Sequence, residues 1–195
     1  MIDPELAVLI LAAGESKRLG KPKQLLPYQQ STLLEHSISC AKSVCDNTIV
    51  VLGANADRIK EKTNLSEDQI VINPNWKKGI GSSIAFGIQS IVKKFSSCKQ
   101  VMILLTDQPK ISNELLGKLL VSHQNGNSSI TACDYGVTIG VPAVFDQSLF
   151  PSLAELKNDQ GAKAIIKLHI SQTSLINFPE GHIDIDTEGD LKFLG

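Results

Sequence analysis

The run Leu6–Leu11 (LAVLIL), followed at once by the polar loop Ala12–Lys23, constrains the fold more than any other stretch of the chain. Its unbroken apolar character predicts a strand buried on both faces, because a strand with one solvated face alternates apolar and polar residues. Such strands are typical of parallel sheets that are covered by helices on both sides. The same character returns in three later runs: Thr48–Leu52, Gln69–Ile72 and Val101–Leu105.

Amphipathic stretches separate these runs and predict helices. Thr32–Ser43 opens with Thr32-x-x-Glu35, a capping box in which a hydroxyl and a carboxylate each satisfy a free backbone N–H. Ile80–Phe95 carries apolar residues at helical spacing, and Asn113–Gln124 does the same with leucines. The alternation of strand and helix predicts right-handed crossovers and an α/β fold. We expect a three-layer α/β/α sandwich with a Rossmann-like, mostly parallel sheet.

The second half of the chain is less regular and predicts a mixed sheet order. No internal repeat or long linker divides residues 1–195, so we predict a single domain. The expected elements are strands at Ser129–Ala132, Val141–Phe145, Thr173–Ile176 and His182–Asp186, and helices at Gln147–Leu156 and Gly161–Leu168.

Charge and composition exclude several classes of function. The 19 Lys and Arg residues nearly balance the 20 Asp and Glu residues, so no global basic field favours nucleic acid. The four cysteines form no CxxC pair, and we expect them to be reduced and buried. The first apolar run follows no basic segment and is too short to span a membrane. We therefore expect a cytoplasmic protein that binds neither nucleic acid nor membrane.

Ligands of such folds bind beyond the carboxyl ends of the strands, where three polar loops should converge. These loops are Ala12–Lys23, Thr106–Ile111 and Asp186–Gly189. In the first, four cations fall within seven residues, which is close to the charge of a nucleoside triphosphate. Gly14 can adopt positive φ and would let backbone N–H groups approach phosphates. The loop matches neither the Walker A nor the GxGxxG pattern, and a merely solvated surface loop is the alternative.

The segment LAAGESKRLGKPKQLLP (Leu11–Pro27) resembles the signature LAAGxSxRxGxxKxLLP of the MobA/MocA-like nucleotidyltransferases, which activate molybdenum cofactor with a nucleotide. The resemblance implies a nucleotide-diphospho-sugar transferase-like fold and, from LAAG rather than LAGG, CTP as the donor. Arg18 and Lys23 would be catalytic and hold the triphosphate, whereas Lys17 and Lys21 fall on variable positions. The remaining nucleotide contacts that it implies are Leu11, Ala12, Ala13, Gly14 and Ser16.

Two acidic motifs resemble the metal-binding elements of that family. Asp107-Gln-Pro follows a predicted strand and implies Asp107 as a catalytic Mg²⁺ ligand, although a turn-forming Asp before Pro109 is the alternative. The segment D-I-D-T-E-G-D-L resembles D-I-D-T-P-E-D-L and implies Asp186 as the second Mg²⁺ ligand, with Asp184 in support. Helix capping by Asp186 or Thr187 is the alternative there.

Two further segments resemble the acceptor side of the family. N-P-N-W-K-K-G-I-G-S-S matches N-x-x-W-x-x-G-x-x-x-S and implies acceptor contacts from Gly79 and Ser83, with helix capping as the alternative for the serine. N-D-Q-G-A-K resembles G-D-x-G-A-R, with Asn158 where the family has Gly, and implies an acceptor contact from Asp159, which could instead cap the next helix. Val141 stands where these enzymes often have His, so the identity of the acceptor stays open.

These motifs together predict a Mg²⁺-dependent nucleotidyltransferase that moves CMP from CTP to the phosphate of a molybdopterin-type cofactor and releases pyrophosphate. A molybdoenzyme client is the partner that this reaction implies. The alternatives are a sugar-phosphate or isoprenoid-precursor acceptor, and a non-catalytic molybdenum-cofactor chaperone. The histidines lie outside the motifs and are expected to be structural or at the surface: His36, His123, His169 and His182.

Overall fold

The run that the sequence marks most strongly, Leu6–Ala12 (β1), is a strand whose seven residues are all buried. The computed structural model describes residues 2–194. Side chains of β1 alternate between two hydrophobic cores, with Val8 and Ile10 in one and Leu9 and Leu11 in the other. An apolar side chain is needed at every position for this reason.

Eight further strands and six helices follow β1 within the described part of the chain. The strands are β2 (Pro27–Tyr28), β3 (Ser31–Thr32), β4 (Thr48–Leu52), β5 (Ile70–Ile72), β6 (Gln100–Leu105), β7 (Ile130–Asp134), β8 (Ile139–Asp146) and β9 (Thr173–Asn177). The helices are α1 (Leu33–Lys42), α2 (Ala56–Lys62), α3 (Ile80–Lys94), α4 (Asn113–Asn125), α5 (Phe150–Ala154) and α6 (Ala162–Leu168).

Seven of these strands form one sheet in the order β5-β4-β1-β6-β8-β7-β9. The pairs β5–β4, β4–β1, β1–β6 and β7–β9 are parallel, and β8 runs antiparallel to both of its neighbours. The carboxyl ends of β1, β4 and β6 therefore open on one edge of the sheet. The sheet is mostly parallel with one reversed strand, which confirms the predicted mixed order.

Helices cover both faces of the sheet and complete a three-layer α/β/α sandwich. The first core takes side chains from α1, α2 and α4, for example Leu34, Ile59 and Leu116. The second core takes side chains from α3, α5 and α6, for example Ile84 and Leu153. Burial of large aliphatic side chains at about 1.5–3 kcal/mol each makes these two cores the main stabilising term.

Several local predictions are confirmed, and others are wrong. Thr32 and Glu35 form the capping box of α1, and the four cysteines are buried and free. The expected strand at His182–Asp186 is absent; a 3-10 turn at Pro179–His182 precedes an irregular segment. The expected helix at Gln147–Leu156 is a 3-10 turn followed by the short α5. The sequence reading missed α2 and the β2–β3 hairpin.

Among the helices described, from α1 to α6, none combines the length and the apolar character needed to cross a bilayer.

Candidate functional site

The loop after β1 is shaped by one strained residue and one buried amide. Ser16 lies at φ +57°, which a residue with a side chain seldom adopts, and its hydroxyl accepts a hydrogen bond from the Lys23 N–H at 3.1 Å. The Gln24 side chain is 1% exposed, and its Nε2 donates to the carbonyls of Ala12 at 2.7 Å and Gly14 at 3.1 Å. These contacts hold both ends of the loop in one shape.

The same shape leaves a row of backbone donors free. Within residues 2–194, no oxygen accepts a hydrogen bond from the backbone N–H groups of residues 13–18. Gly14 does not have the predicted positive φ; instead, a Cβ at this position would meet no atom within 4 Å. The absent side chain of Gly14 therefore leaves open space beside the free donors. Groups of this kind form anion-binding concavities.

Four predicted site residues meet in one ion cluster beside this loop. The Lys23 ammonium lies 2.6 Å from Asp107 Oδ2 and 2.7 Å from Asp186 Oδ1, and an Arg18 guanidinium nitrogen lies 2.7 Å from Asp186 Oδ2. The Lys23 side chain is 14% exposed, whereas that of Arg18 is 69% exposed. Chain segments more than 80 residues apart thus converge, as the loop pattern predicts.

A small apolar cluster positions these charges. Leu19, next to Arg18, packs with Ile185, next to Asp186, in a cluster that is separate from the two main cores. The Ile185 N–H also donates to the Asp107 carbonyl at 2.9 Å. Packing at the neighbouring residues therefore places Asp107 and Asp186 opposite the loop, although neither acid is part of a strand.

The cluster shifts the pKa of its members in both directions. Burial lowers the pKa of Lys23, but contacts with Asp107 and Asp186 outweigh it and raise the pKa overall. Burial opposes the ionised form of Asp186, yet Lys23 and Arg18 hold its pKa below the ordinary value. Partial desolvation by the surrounding structure, followed by the charges of Asp107 and Asp186, raises the pKa of Asp184 to about 7, although its side chain keeps contact with solvent. Asp184 is thus the one carboxyl here that titrates near neutral pH among the described groups.

The donor set fits a hard divalent cation. Asp107 and Asp186 already share one cation, the Lys23 ammonium, and Asp107 Oδ1 is buried without a hydrogen-bond partner among residues 2–194. No three His, Cys, Asp or Glu side chains in that range group into a complete metal site. Mg²⁺ in proteins commonly takes one or two carboxylates and completes its shell with water and substrate phosphates. Two acids would be sufficient for such a site.

A cleft of about 300 Å³ opens between the loop and α3, and we call it the loop cleft. Its walls include residues 11–15 and Lys23 from the loop side and Asp107 from the turn that follows β6. Trp76 and Gly79 line the opposite side. All of the predicted nucleotide contacts except Ser16 and Arg18 line this cleft. Ser16 directly follows the wall residue Glu15, and Arg18 lies two residues further on.

A second cavity of about 380 Å³, which we call the Tyr135 pocket, adjoins the loop cleft. The two share Leu11, Ile80 and Leu105 as walls. The Tyr135 pocket is largely apolar, and its polar walls come from Gln108, Thr138, Lys163, His182 and Asp184. Two connected compartments can hold two reacting molecules side by side.

The residues predicted to contact an acceptor lie mainly at the loop cleft. Gly79, at φ +101°, and Ser83 line that cleft, and the Ser83 hydroxyl accepts a hydrogen bond from Asn73 at 3.1 Å. Gly79 has to be glycine, because a Cβ there would overlap the backbone of Asn158. Asp159 does not line either cavity, and Val141 lines the Tyr135 pocket. The acceptor assignments of Gly79, Ser83 and Asp159 stay predictions.

The capping alternatives are resolved differently at each position. Neither α3 nor α6 has a side-chain N-cap, so Ser83 and Asp159 do not cap them. Thr187 and Asp190 form a capping box on the C-terminal 3-10 helix Glu188–Phe193. Capping is therefore done by Thr187, which leaves the Asp186 side chain to the ion cluster.

Three residues at the site were missed by sequence reasoning. Gln24 and Gln108 each follow a predicted catalytic residue, but nothing in the chain shows that their amides are buried and hydrogen-bonded. His182, predicted to be structural or at the surface, is exposed and lines the Tyr135 pocket. The only available signal was the position of both glutamines directly after Lys23 and Asp107.

A mostly parallel sheet that sets a cationic, N–H-rich loop opposite paired acids defines the class of nucleotidyltransferases. The chain belongs to the family of the MobA-like NTP transferase domain, whose model matches residues 8–174. It is 36% identical over 172 residues to the nicotine blue oxidoreductase of Paenarthrobacter nicotinovorans, covering 84% of this chain and 82% of that protein.

Two further relatives extend the comparison. The molybdenum cofactor cytidylyltransferase of Escherichia coli strain K12 is 24% identical over 183 residues, covering 93% of this chain and 91% of that enzyme. The crystal structure of Rv0371c from Mycobacterium tuberculosis H37Rv aligns with a TM-score of 0.84 at 26% identity, covering 100% of this chain and 98% of that one. A manganese complex of Rv0371c aligns with a TM-score of 0.80 at 24% identity, covering 97% of each chain.

Proposed function

We propose that this protein is a cytoplasmic transferase that moves CMP from CTP to the phosphate of a molybdopterin-type acceptor and releases pyrophosphate. The ion cluster of Arg18, Lys23, Asp107 and Asp186 carries the proposal. Its cations and acids neutralise one another when no ligand is bound. On binding, the phosphates of the triphosphate would replace the acids as partners of Arg18 and Lys23. The divalent cation would replace Lys23 and Arg18 as the partner of Asp107 and Asp186.

The loop supplies the binding of the polyphosphate. The free N–H groups of residues 13–18 would donate to phosphate oxygens, and the open space at Gly14 admits them. Asp107 and Asp186 would hold Mg²⁺, and the metal, when bound, supplies charge neutralisation at the phosphates. The manganese complex of Rv0371c supports a divalent metal in this fold.

The transfer needs no general base from the protein. An oxygen of the acceptor's phosphate, already anionic at neutral pH, forms a bond to the α-phosphorus of CTP. The bond between that phosphorus and the pyrophosphate oxygen breaks, and the electron pair leaves with pyrophosphate. Arg18 and Lys23 would stabilise the charge that develops on this leaving group. Positioning and electrostatics supply most of the acceleration in such reactions.

The adjoining Tyr135 pocket is the proposed acceptor compartment. It shares Leu11 and Leu105 with the loop cleft, so an acceptor held there would present its phosphate to the nucleotide. The match to the Escherichia coli molybdenum cofactor cytidylyltransferase supports both a pterin-type acceptor and CTP as donor. A molybdoenzyme would then be the client of the product.

A second candidate is a redox function, favoured by the 36% identity to a protein named nicotine blue oxidoreductase. A dinucleotide cofactor carries a pyrophosphate, which the same free N–H groups would bind. The two candidate functions differ in their need for the acids, because hydride transfer from such a cofactor does not need a metal between Asp107 and Asp186.

The decisive experiment incubates the purified protein with CTP, Mg²⁺ and molybdopterin, and measures pyrophosphate together with the mass of the product. Parallel reactions replace CTP with GTP, or molybdopterin with a hexosamine 1-phosphate or an erythritol phosphate. We expect a cytidylated pterin product that the Asp107→Asn variant does not form. Pyrophosphate release with a sugar or polyol phosphate alone would move the acceptor assignment to that class.

Two other results would reject transfer altogether. Tight molybdopterin binding without pyrophosphate release from any donor would indicate a cofactor chaperone. Oxidation of reduced nicotinamide cofactor by a quinonoid dye, unaffected by Asp107→Asn, would indicate the redox function.

A further inference from the structure

Gln108 follows the proposed metal ligand Asp107 directly, yet its side chain belongs to the Tyr135 pocket. It is 3% exposed, and its Nε2 donates to the Tyr135 hydroxyl at 3.1 Å and to the Gly181 carbonyl at 2.9 Å. The Tyr135 hydroxyl in turn donates to the carbonyl of Val141. Gln108 thus ties the end of β6 to β8 and to the segment that leads to Asp186.

These partners determine which terminal atom of the Gln108 carboxamide is the nitrogen and which is the oxygen. The Gly181 carbonyl can only accept a hydrogen bond, so the NH₂ group of Gln108 has to face it. The Tyr135 hydroxyl has given its hydrogen to Val141 and can only accept from Gln108. Both amide hydrogens are used, and exchange of the nitrogen and oxygen would set two acceptors against each other.

The carboxamide oxygen of Gln108 is then the unused group. Oε1 is buried and has no hydrogen-bond partner among residues 2–194. A buried acceptor without a donor is costly, and native proteins leave few of them. Gln108 lines the Tyr135 pocket together with polar groups such as Lys163 and His182, and none of these donates to Oε1. A ligand bound in that pocket would supply the missing donor.

The oxygen is also held rigidly. A Cβ at Gly181 or at Gly140 would collide with the Tyr135 ring, so that ring packs against bare backbone on two sides. Tyr135 cannot move without disturbing both segments, and Gln108 is hydrogen-bonded to Tyr135. A preorganised acceptor gains selectivity because little ordering has to be supplied when the ligand binds.

We propose that Gln108 is a specificity-determining residue of the Tyr135 pocket, whose Oε1 accepts a hydrogen bond from an N–H or O–H group of the acceptor molecule. The ligand class is a molecule with a largely apolar body and a donor on the edge that meets Gln108. This inference rests on the proposed function, since it treats the Tyr135 pocket as the acceptor compartment. Asp107 selects the metal and Gln108, one residue on, selects the acceptor.

Lumazine and 1,3-dimethyllumazine are suitable probes, because the second compound keeps the ring and lacks both N–H groups. Fluorescence titration measures the affinity of the full-length protein for each, with CTP and Mg²⁺ binding measured separately. We expect the wild-type protein to bind lumazine at least about tenfold more tightly than its dimethyl derivative. In Gln108→Met this ratio should fall to within about twofold of unity, and in the exposed control Gln30→Met it should not change.

The ratio separates recognition from a structural role, because a distorted pocket weakens both probes alike. A preference that persists in Gln108→Met would show that shape excludes the methyl groups and would overturn the proposal. If Gln108→Met does not fold, Gln108→Asn, which withdraws the oxygen, has to lose the preference too. Failure of lumazine to bind while CTP and Mg²⁺ still bind would overturn this inference and leave nucleotide transfer standing. Loss of CTP and Mg²⁺ binding would instead count against the proposed function.

Discussion

The loop cleft and the Tyr135 pocket lie side by side but are built in opposite ways. In the loop cleft the charged groups pair with one another, since Lys23 contacts both Asp107 and Asp186, and of their carboxylate oxygens only Asp107 Oδ1 lacks a partner among the described residues. In the Tyr135 pocket the walls are mainly apolar, and Gln108 keeps a buried oxygen without a partner among the described residues. In the ligand-free loop cleft the cations and acids serve as partners for one another, whereas in the Tyr135 pocket the partner of Gln108 Oε1 has to come from a ligand. Charge exchange therefore provides affinity for any polyphosphate, whereas the unpaired group provides selectivity.

The largest effect should follow from removing a charged member of the loop cleft. Asp107→Asn and Lys23→Met should each lower kcat by about 10³-fold, because each removes charge that acts on the transferring phosphates. Steady-state pyrophosphate release checks this, with thermal unfolding as the control for folding. A residual rate within about tenfold of wild type for either variant would remove the ion cluster from the proposed chemistry.

The same lysine should act in the opposite direction on metal binding. Without nucleotide, the Lys23 ammonium lies 2.6 Å and 2.7 Å from the two acids and competes with any metal ion for them. Lys23→Met should therefore bind Mn²⁺ about tenfold more tightly than the wild-type protein, although it is catalytically inactive. Titration of free Mn²⁺ by electron paramagnetic resonance measures this, and the exposed Lys21→Met serves as the control. Weaker Mn²⁺ binding in Lys23→Met would contradict the exchange of partners.

Gln24 tests whether the loop cleft depends on shape as well as on charge. Gln24→Met keeps the volume but leaves the carbonyls of Ala12 and Gly14 without their buried donor. Affinity for CTP should fall about tenfold, because the free N–H groups lose their fixed directions. Gln24→Glu should be worse, since a carboxylate would face two carbonyl oxygens. Calorimetry measures the affinity for CTP. Equal affinities of Gln24→Met and the wild type would show that Gln24 only fills space and does not shape the loop.

Much of the loop cleft could be predicted from the sequence, and much less of the Tyr135 pocket. The loop and β1 are contiguous, so their pattern is visible in one stretch of chain. The alternation around Ile185 predicts a strand, but Ile185 is buried because it packs with Leu19 and Leu33. Helix α2 was missed because a short, charged helix buries only Ala56 and Ile59. The Gln108 oxygen is left free because the amide nitrogen bonds to Gly181, which is over 70 residues away in the chain. No local sequence pattern predicts such a contact.

Asp184 lines the Tyr135 pocket, lies within the electrostatic influence of Asp107 and Asp186, and should respond to pH. Its pKa is raised from 3.8 to about 7, so the folded protein holds this proton more tightly than the unfolded chain. Its contribution to stability is therefore full at low pH and is lost as the pH rises from about 3.8 towards about 7. Thermal unfolding in a metal chelator should show the wild type losing stability relative to Asp184→Asn between about pH 4 and about pH 7. A difference that stays constant over that range would show that Asp184 is ionised throughout.

The smallest effects should come from the two loop cations that the ion cluster leaves out. Lys17 has its side chain 79% exposed and pairs with Glu15 at 3.4 Å, and Lys21 is exposed. Surface charges of this kind contribute about 0–1 kcal/mol, so Lys17→Ala and Lys21→Ala should each change the affinity for CTP by less than about threefold. If the loop bound polyphosphate only through its total charge, either change would cost as much as Arg18→Ala. Comparison of the three variants at low and at physiological salt decides between the two models, because screening weakens exposed charges first. A steep salt dependence shared equally by all three would mean that charge count outweighs the geometry of the cleft.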